Sequence, residues 1–166
     1  MRHVAFAAAV LAIATVACGT PIAPAEPRPP RHALRVPFDS AWAAAVGFFT
    51  GRKFPVETMD RASGSLVSAR FPVSGTDSAT WVRCPSITTK MFESAPPTRR
   101  LTGAVKVDLH AEGETTIARV TLAVTALDQK PPSADSTGLV TIDCASTGVL
   151  EAAILAHLRA AGNQMP

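Results

Sequence analysis

Two stretches in the second half of the chain alternate with period two. Val105, Val107 and Leu109 are separated by Lys106 and Asp108 and followed by His110, while Val120, Leu122 and Val124 are interleaved with Arg119, Thr121 and Thr125. Successive side chains of a strand point to opposite faces, so each stretch predicts a strand with one buried and one wet face. The apolar positions are odd-numbered in the first stretch and even-numbered in the second. Residues opposed across an antiparallel pair must therefore have numbers with an odd sum, and 227 is a sum that works. It sets Val107 against Val120, Val105 against Leu122 and Asp108 against Arg119, the last as a surface ion pair. It also leaves Gly113-Glu114 as a two-residue turn, with Gly where a type II′ turn requires it.

Other segments supply what such a hairpin needs to cover its apolar face. Phe38, Trp42, Ala45, Val46 and Phe49 recur at helical spacing and predict a helix over 38–50, opened by Pro37 and released by Gly51. Residues 54–59 and 65–71 read as a second hairpin around the turn-rich 60–64. In its second strand Val67, Ala69 and Phe71 are expected inside, with Ser68 and Arg70 outside. Residues 80–84 form a further candidate strand ended by Pro85. Residues 128–138, with Pro131 and Pro132, read as a loop, and 139–144 as a last short strand. Ser146 or Thr147 is then placed to cap a helix running to Ala161 and ended by Gly162, with Leu150, Ala153, Ile154 and Leu158 inward. The expected fold is α+β: a two-layer domain over 33–166, with an antiparallel sheet and two helices packed on one face. A chain of 166 residues, 47% hydrophobic and 17% charged, suffices for one such core.

The first 32 residues have a different character. Arg2 precedes an uncharged, mostly apolar run of 14 residues, Val4 to Ala17, and Thr15-Val16-Ala17 places small residues before Cys18. This is the order of a secretory signal peptide, and the run falls short of the roughly 20 residues a membrane-spanning helix takes. Thr15-Val16-Ala17-Cys18 resembles the lipobox of bacterial lipoproteins, with Thr15 where Leu is commonest. The resemblance implies cleavage of residues 1–17, lipidation of Cys18 with palmitate-like chains, and a protein held to a membrane of the cell envelope. Two acyl chains suffice for stable attachment. Gly19, in place of the Asp that favours inner-membrane retention, points to the outer membrane and its periplasmic face. Residues 18–32 carry Pro21, Pro24, Pro27, Pro29 and Pro30 and read as a tether. With Cys18 used, Cys84 and Cys144 form an even pair. In an oxidising compartment the pair reads as a disulfide, the alternative being two buried thiols.

A longer resemblance covers residues 38–71. Phe38-Asp39-Ser40-Ala41-Trp42, Phe54-Pro55-Val56-Glu57, Asp60-Arg61-Ala62-Ser63-Gly64 and Leu66 through Phe71 together resemble the domain of BamC, the accessory lipoprotein of the outer-membrane β-barrel assembly machinery. That family joins a helix opening with an aromatic, Asp and Trp to a DR-x-x-G hairpin and a strand ending in Arg and an aromatic. It implies an α+β fold and an assembly-accessory role. Its proteins carry two such domains and a long partner-binding segment, whereas this chain has room for one domain and a short tether. The pattern from Cys144 to Glu151 is also similar to that of other envelope lipoproteins.

No catalytic or cofactor motif stands out. The charge of +3 is spread along the chain without the clustered basic stripe of a nucleic-acid binder. His3 lies in the leader, His32 in the tether and His110 on a polar strand face, so no two histidines have metal-ligand spacing. His157 is expected to be partly buried beside Leu150 and Ile154. Cys144, just before a helix, is a candidate nucleophile in a thiol-enzyme reading that lacks a base. The favoured expectation is a non-enzymatic, membrane-anchored binding or assembly module without a cofactor, having the membrane and an envelope protein as partners. The alternative is a carrier or sensor of a small apolar ligand between helix and sheet, lined by Trp42, Phe49 and Trp81.

Overall fold

The computed structural model describes residues 29–85, 100–129 and 139–162. Strand β1 (His32–Leu34) leads into helix α1 (Phe38–Arg52), followed by β2 (Val56–Asp60), β3 (Ser65–Ser68) and β4 (Phe71–Val73). Then come helix α2 (Gly75–Trp81), β5 (Val82–Arg83), the long strands β6 (Arg100–Glu112) and β7 (Thr115–Gln129), β8 (Leu139–Ser146) and helix α3 (Val149–Ala161). The class is α+β, with an eight-stranded sheet ordered β2-β3-β6-β7-β8-β5. β1 joins it on β7 and β4 on β6, and every pairing is antiparallel. Three helices are present among the described residues where two were expected. β1 begins at His32, the last residue assigned to the tether.

The β6–β7 hairpin has the predicted register, with Val107 opposite Val120, Val105 opposite Leu122 and a turn at Gly113-Glu114. Gly113 has φ +62° and Glu114 a negative φ, the combination of a type II′ turn. The pairing continues unbroken from Arg100 with Leu127 to Glu112 with Thr115. Val105, Val107, Leu109, Ala118, Val120, Leu122 and Val124 are buried in one cluster with Phe49, Leu66, Leu150 and Ile154. Asp108 lies opposite Arg119 but pairs with Lys106, whose Nζ is 2.9 Å away. Residues two apart on a strand share a face, and the lysine reaches its own neighbour.

Both flanks of this hairpin are interrupted near its middle. On the β6 side, β3 pairs with residues 106–108 and β4 with 101–103. On the β7 side, β1 pairs with 116–118 and β8 with 124–129. Val105 and Leu122 fall in the two gaps. Their amides point away from each other and take side-chain acceptors: the Val105 N–H donates to Ser68 Oγ at 2.8 Å, and the Leu122 N–H to Glu151 Oε1 at 3.3 Å. An unpaired buried amide costs about 1–3 kcal/mol, so each acceptor replaces a strand the sheet does not supply there.

Ser68 overturns the facing expected for its strand. Leu66 and Ser68 are buried, while Val67 lies opposite Lys106 on the outer face. Strand structure stops at Ala69-Arg70, and the pairing offset changes by one residue, from Leu66 with Val107 to Phe71 with Gly103. That step returns Phe71 and Val73 to the interior. Continuous alternation from 65 to 71 could not place both Leu66 and Phe71 inside.

Helix α1 runs through Gly51 and ends at Lys53, which has φ +58°. Lys53 N–H donates to Thr50 O and Phe54 N–H to Phe49 O, the two bonds of a Schellman ending. The rings of Phe49 and Phe54 meet edge to face at 5.6 Å. Such a pair contributes about 0.5–1.5 kcal/mol, enough to offset much of the roughly 1–2 kcal/mol cost of a left-handed non-glycine residue. Phe54 therefore belongs to the helix ending, and strand β2 begins only at Val56. In the 80–84 region, Thr80 and Trp81 finish α2 and only Val82–Arg83 pair as a strand. The residue capping α3 is Gly148, with Ser146 and Thr147 accepting amide bonds from Gly148 and Val149 just upstream. Of the expected loop over 128–138, the first two residues belong to β7, which reaches Gln129, and residues 130–138 lie outside the described residues.

Two substitutions test these local constraints by urea denaturation. Lys53→Gly removes the left-handed penalty and is expected to raise stability by about 1 kcal/mol. Gly64 has φ +71°, and a Cβ there would collide with the Leu109 carbonyl oxygen, which belongs to backbone that cannot swing aside. Gly64→Ala is expected to cost about 3 kcal/mol or more.

Candidate functional site

The residues that looked most distinctive in the sequence form the turn between β2 and β3. Asp60 Oδ1 accepts the amides of Ala62 and Ser63 at 3.0 and 3.4 Å, and Oδ2 accepts the Ser63 hydroxyl at 2.7 Å. Arg61 reaches back to the first turn of α1 and donates to Asp39 Oδ1 at 2.6 Å. Gly64 accepts the Leu109 amide at 2.8 Å, which fastens the turn to β6. Each member of the DR-x-x-G pattern thus has a folding task. The Ser63 hydroxyl, then the Ser63 and Ala62 amides, hold the exposed Asp60 carboxyl below its ordinary value of 3.8.

The aromatic residues proposed as ligand lining are all interior. Trp42 stacks on Phe38 at 6.2 Å, Phe49 is fully buried, and Trp81 is 6% exposed within the same cluster. Arg52, in the last turn of α1, lies 5.7 Å from the ring centre of Phe48 and 5.9 Å from that of Trp81. Its guanidinium bridges α1 and α2. The edge-to-face contact of Phe48 with His157 at 5.5 Å extends this stack to α3. His157 is exposed, contrary to expectation, while its ring keeps this contact with Phe48. Sequence spacing gave no sign of the Arg52 contact, which depends on where α2 ends.

Cys84 and Cys144 are joined by a disulfide, with Cα atoms 4.4 Å apart. Cys144 Sγ is therefore committed to that bridge and is not held as a thiol before α3. Cys18, the proposed lipidation site, lies outside the described residues, as do the signal and most of the tether. Among the described residues no group of three or more His, Cys, Asp or Glu side chains is placed to hold a metal ion. None of the described helices is long and apolar enough to cross a membrane.

On the outer face of the hairpin, Thr102 and Thr125 share a hydrogen bond at 2.9 Å, and Arg70 donates to Thr125 Oγ1 at 3.0 Å. The sequence reading put Arg70 on the wet side and did not foresee this link, which depends on the break after Ser68. No protein-family model matches the chain, and no curated protein matches it either.

The turn gives a pH test. A carboxyl whose folded value is lowered stabilises the fold above its unfolded value, and the contribution disappears as pH falls through the folded value. Asp60→Asn is expected to lower stability at neutral pH and to flatten the acid limb of a stability-versus-pH curve below about pH 4. Parallel curves for the two proteins would remove this role.

Proposed function

We propose that this chain is a lipid-anchored protein of the bacterial cell envelope, probed best as a non-enzymatic binding or assembly-accessory module. In this reading residues 1–17 are removed, Cys18 carries the lipid, and a proline-rich tether presents the domain at the periplasmic face of the outer membrane. If extended like polyproline at about 3.1 Å per residue, the tether holds the domain roughly 40 Å from the bilayer. The domain itself is read as two layers, the sheet forming one and α1 with α3 covering its apolar face. The resemblance of residues 38–71 to BamC suggests a role near outer-membrane assembly, with an envelope protein as partner.

The observation that carries the compartment is the cysteine pattern. Cys18 stands at the end of a leader-like segment, and the two remaining cysteines form a bridge. Disulfides persist in oxidising compartments and are rare in the cytosol. Two further features bear on the alternatives: Cys144 is committed to the bridge, which counts against a thiol-enzyme reading, and Trp42, Phe49 and Trp81 are packed in the interior, which favours a binding or assembly module over a carrier lined by them.

The test is metabolic labelling with palmitate followed by membrane fractionation. The wild-type chain is expected to take up label and sediment with membranes. Cys18→Ser is expected to lose both properties while keeping its disulfide and circular dichroism spectrum. Membrane association that survives this change without label would defeat the lipid-anchor reading. Cross-linking in the native envelope then tests the binding role, with an empty screen counting against it.

A further inference from the structure

The position of the disulfide within the strand register carries a consequence beyond marking a compartment. Val82 pairs with Ser146 and Arg83 with Ala145, so continuing the register by one residue places Cys84 directly opposite Cys144. The Thr147 amide donates to Trp81 O at 2.9 Å, which makes Val82–Ser146 a pair whose own amides point away from each other. Alternation makes Arg83–Ala145 the hydrogen-bonded pair and Cys84–Cys144 non-hydrogen-bonded again. The 4.4 Å Cα separation is the spacing expected of such a pair, about 4.5 Å. Cys144 is also paired on its other side with Val124 of β7. At this position the sulfur bridge alone joins β5 to β8.

β5 is the outermost strand of the sheet order and has only two residues, and both cysteines are half-buried. Besides the bridge, the α2–β5 segment is held by burial of Trp81 and Val82, by the Arg52 guanidinium over the Trp81 ring, by the short β5 pairing, and by the Thr147 amide and its hydroxyl, which donates to Thr80 O at 2.6 Å. The central hairpin, by contrast, is paired along its whole length and buried on one face. The two regions are therefore unequal in local stability.

We propose that Cys84–Cys144 is an exchangeable edge disulfide, and that its reduction by a dithiol loosens the α2–β5 segment while the hairpin core stays folded. One thiolate of the dithiol attacks Sγ of either cysteine and forms a mixed disulfide, and the other cysteine leaves as a thiolate that takes up a proton. The second thiol of the dithiol then attacks the mixed disulfide and releases the first cysteine. Two electrons pass to the protein, which gains two thiols, and the reductant becomes a disulfide. The chemical class of partner is a dithiol oxidoreductase.

The test uses the full chain carrying Cys18→Ser, with dithiothreitol as the probe under native conditions. Thiol appearance is followed by alkylation and mass spectrometry. Hydrogen exchange of fragments covering 105–109 and 118–124 supplies the rate of global opening. Reduction is expected to outpace global opening by about tenfold or more, followed by faster exchange in 75–85 with the hairpin fragments unchanged. Thiols that appear only at the global opening rate would overturn the proposal, as would loss of hairpin protection on reduction. The Cys84→Ser/Cys144→Ser double variant gives a second check, because it should fold and show the same faster exchange confined to 75–85. Unaltered exchange there would refute the loosening.

Discussion

Two amides at the middle of the sheet take their acceptors from side chains outside the strand ladder, and the rest of the structure is arranged around them. Val105 and Leu122 face each other at the middle of the β6–β7 hairpin, with their N–H groups turned outward into gaps between the flanking strands. A long hairpin can support short strands on both sides, but separate short strands leave backbone groups between them. Here Ser68 covers one gap from the end of β3, and Glu151 covers the other from the first turn of α3. Both acceptors come from elements that must be docked correctly for the bond to form. Satisfying the amides therefore couples the hairpin to β3 on one edge and to α3 on the other. Glu151 is well placed for this task, since a carboxylate in the first turn of a helix is favoured by the helix dipole. Its Oε2 is buried and has no partner among the described residues.

This coupling divides the molecule into a well-tied centre and a less tied margin. β6 and β7 share the full register, their apolar face belongs to the main cluster, and their open flanks are closed by side chains from other elements. Thr116 adds another buried link, its hydroxyl donating to Val36 O at 2.7 Å just after β1. At the margin, α2 and β5 rest on a short pairing, two buried residues, the two hydrogen bonds from Thr147, the Arg52 contact with Trp81 and the disulfide. The exposed ion pairs, Arg31 with Glu112 and Arg61 with Asp39, contribute little energy at such accessible positions. What they fix is orientation: Arg61 aligns the β2–β3 turn with the start of α1.

The parts legible in the sequence were those with strict periodicity. The hairpin register, its turn and most of the apolar stripe of α3 follow from alternation and helical spacing over many residues; on α3, Leu150, Ile154 and Leu158 are buried as expected, and Leu155 is buried where Ala153 was expected. Ser68 was misread because the period-two rule assumes an unbroken strand, and the break at Ala69-Arg70 shifts the phase by one. Lys53 was missed as a helix end because Gly51 offered the commoner signal, whereas the outcome was decided by the Phe49–Phe54 contact. The cysteine bridge was legible as a pair but not as directly opposed residues, since that depends on β5 being only two residues long. Glu151 had no visible signal, because the gap it fills arises from how strands are distributed along β7.

The DR-x-x-G pattern of the β2–β3 region takes on a physical meaning once its residues are placed. Asp60 closes the turn with three hydrogen bonds, Arg61 ties it to α1, and Gly64 makes room for the backbone of β6. These are demands of folding a helix against this hairpin, so the pattern reports a local structural solution and does not by itself report a function. On the outer face of the hairpin Arg70 bonds to Thr125 and Thr102 completes the link, so the residues that follow β3 are tied to both β6 and β7 where strand pairing lapses.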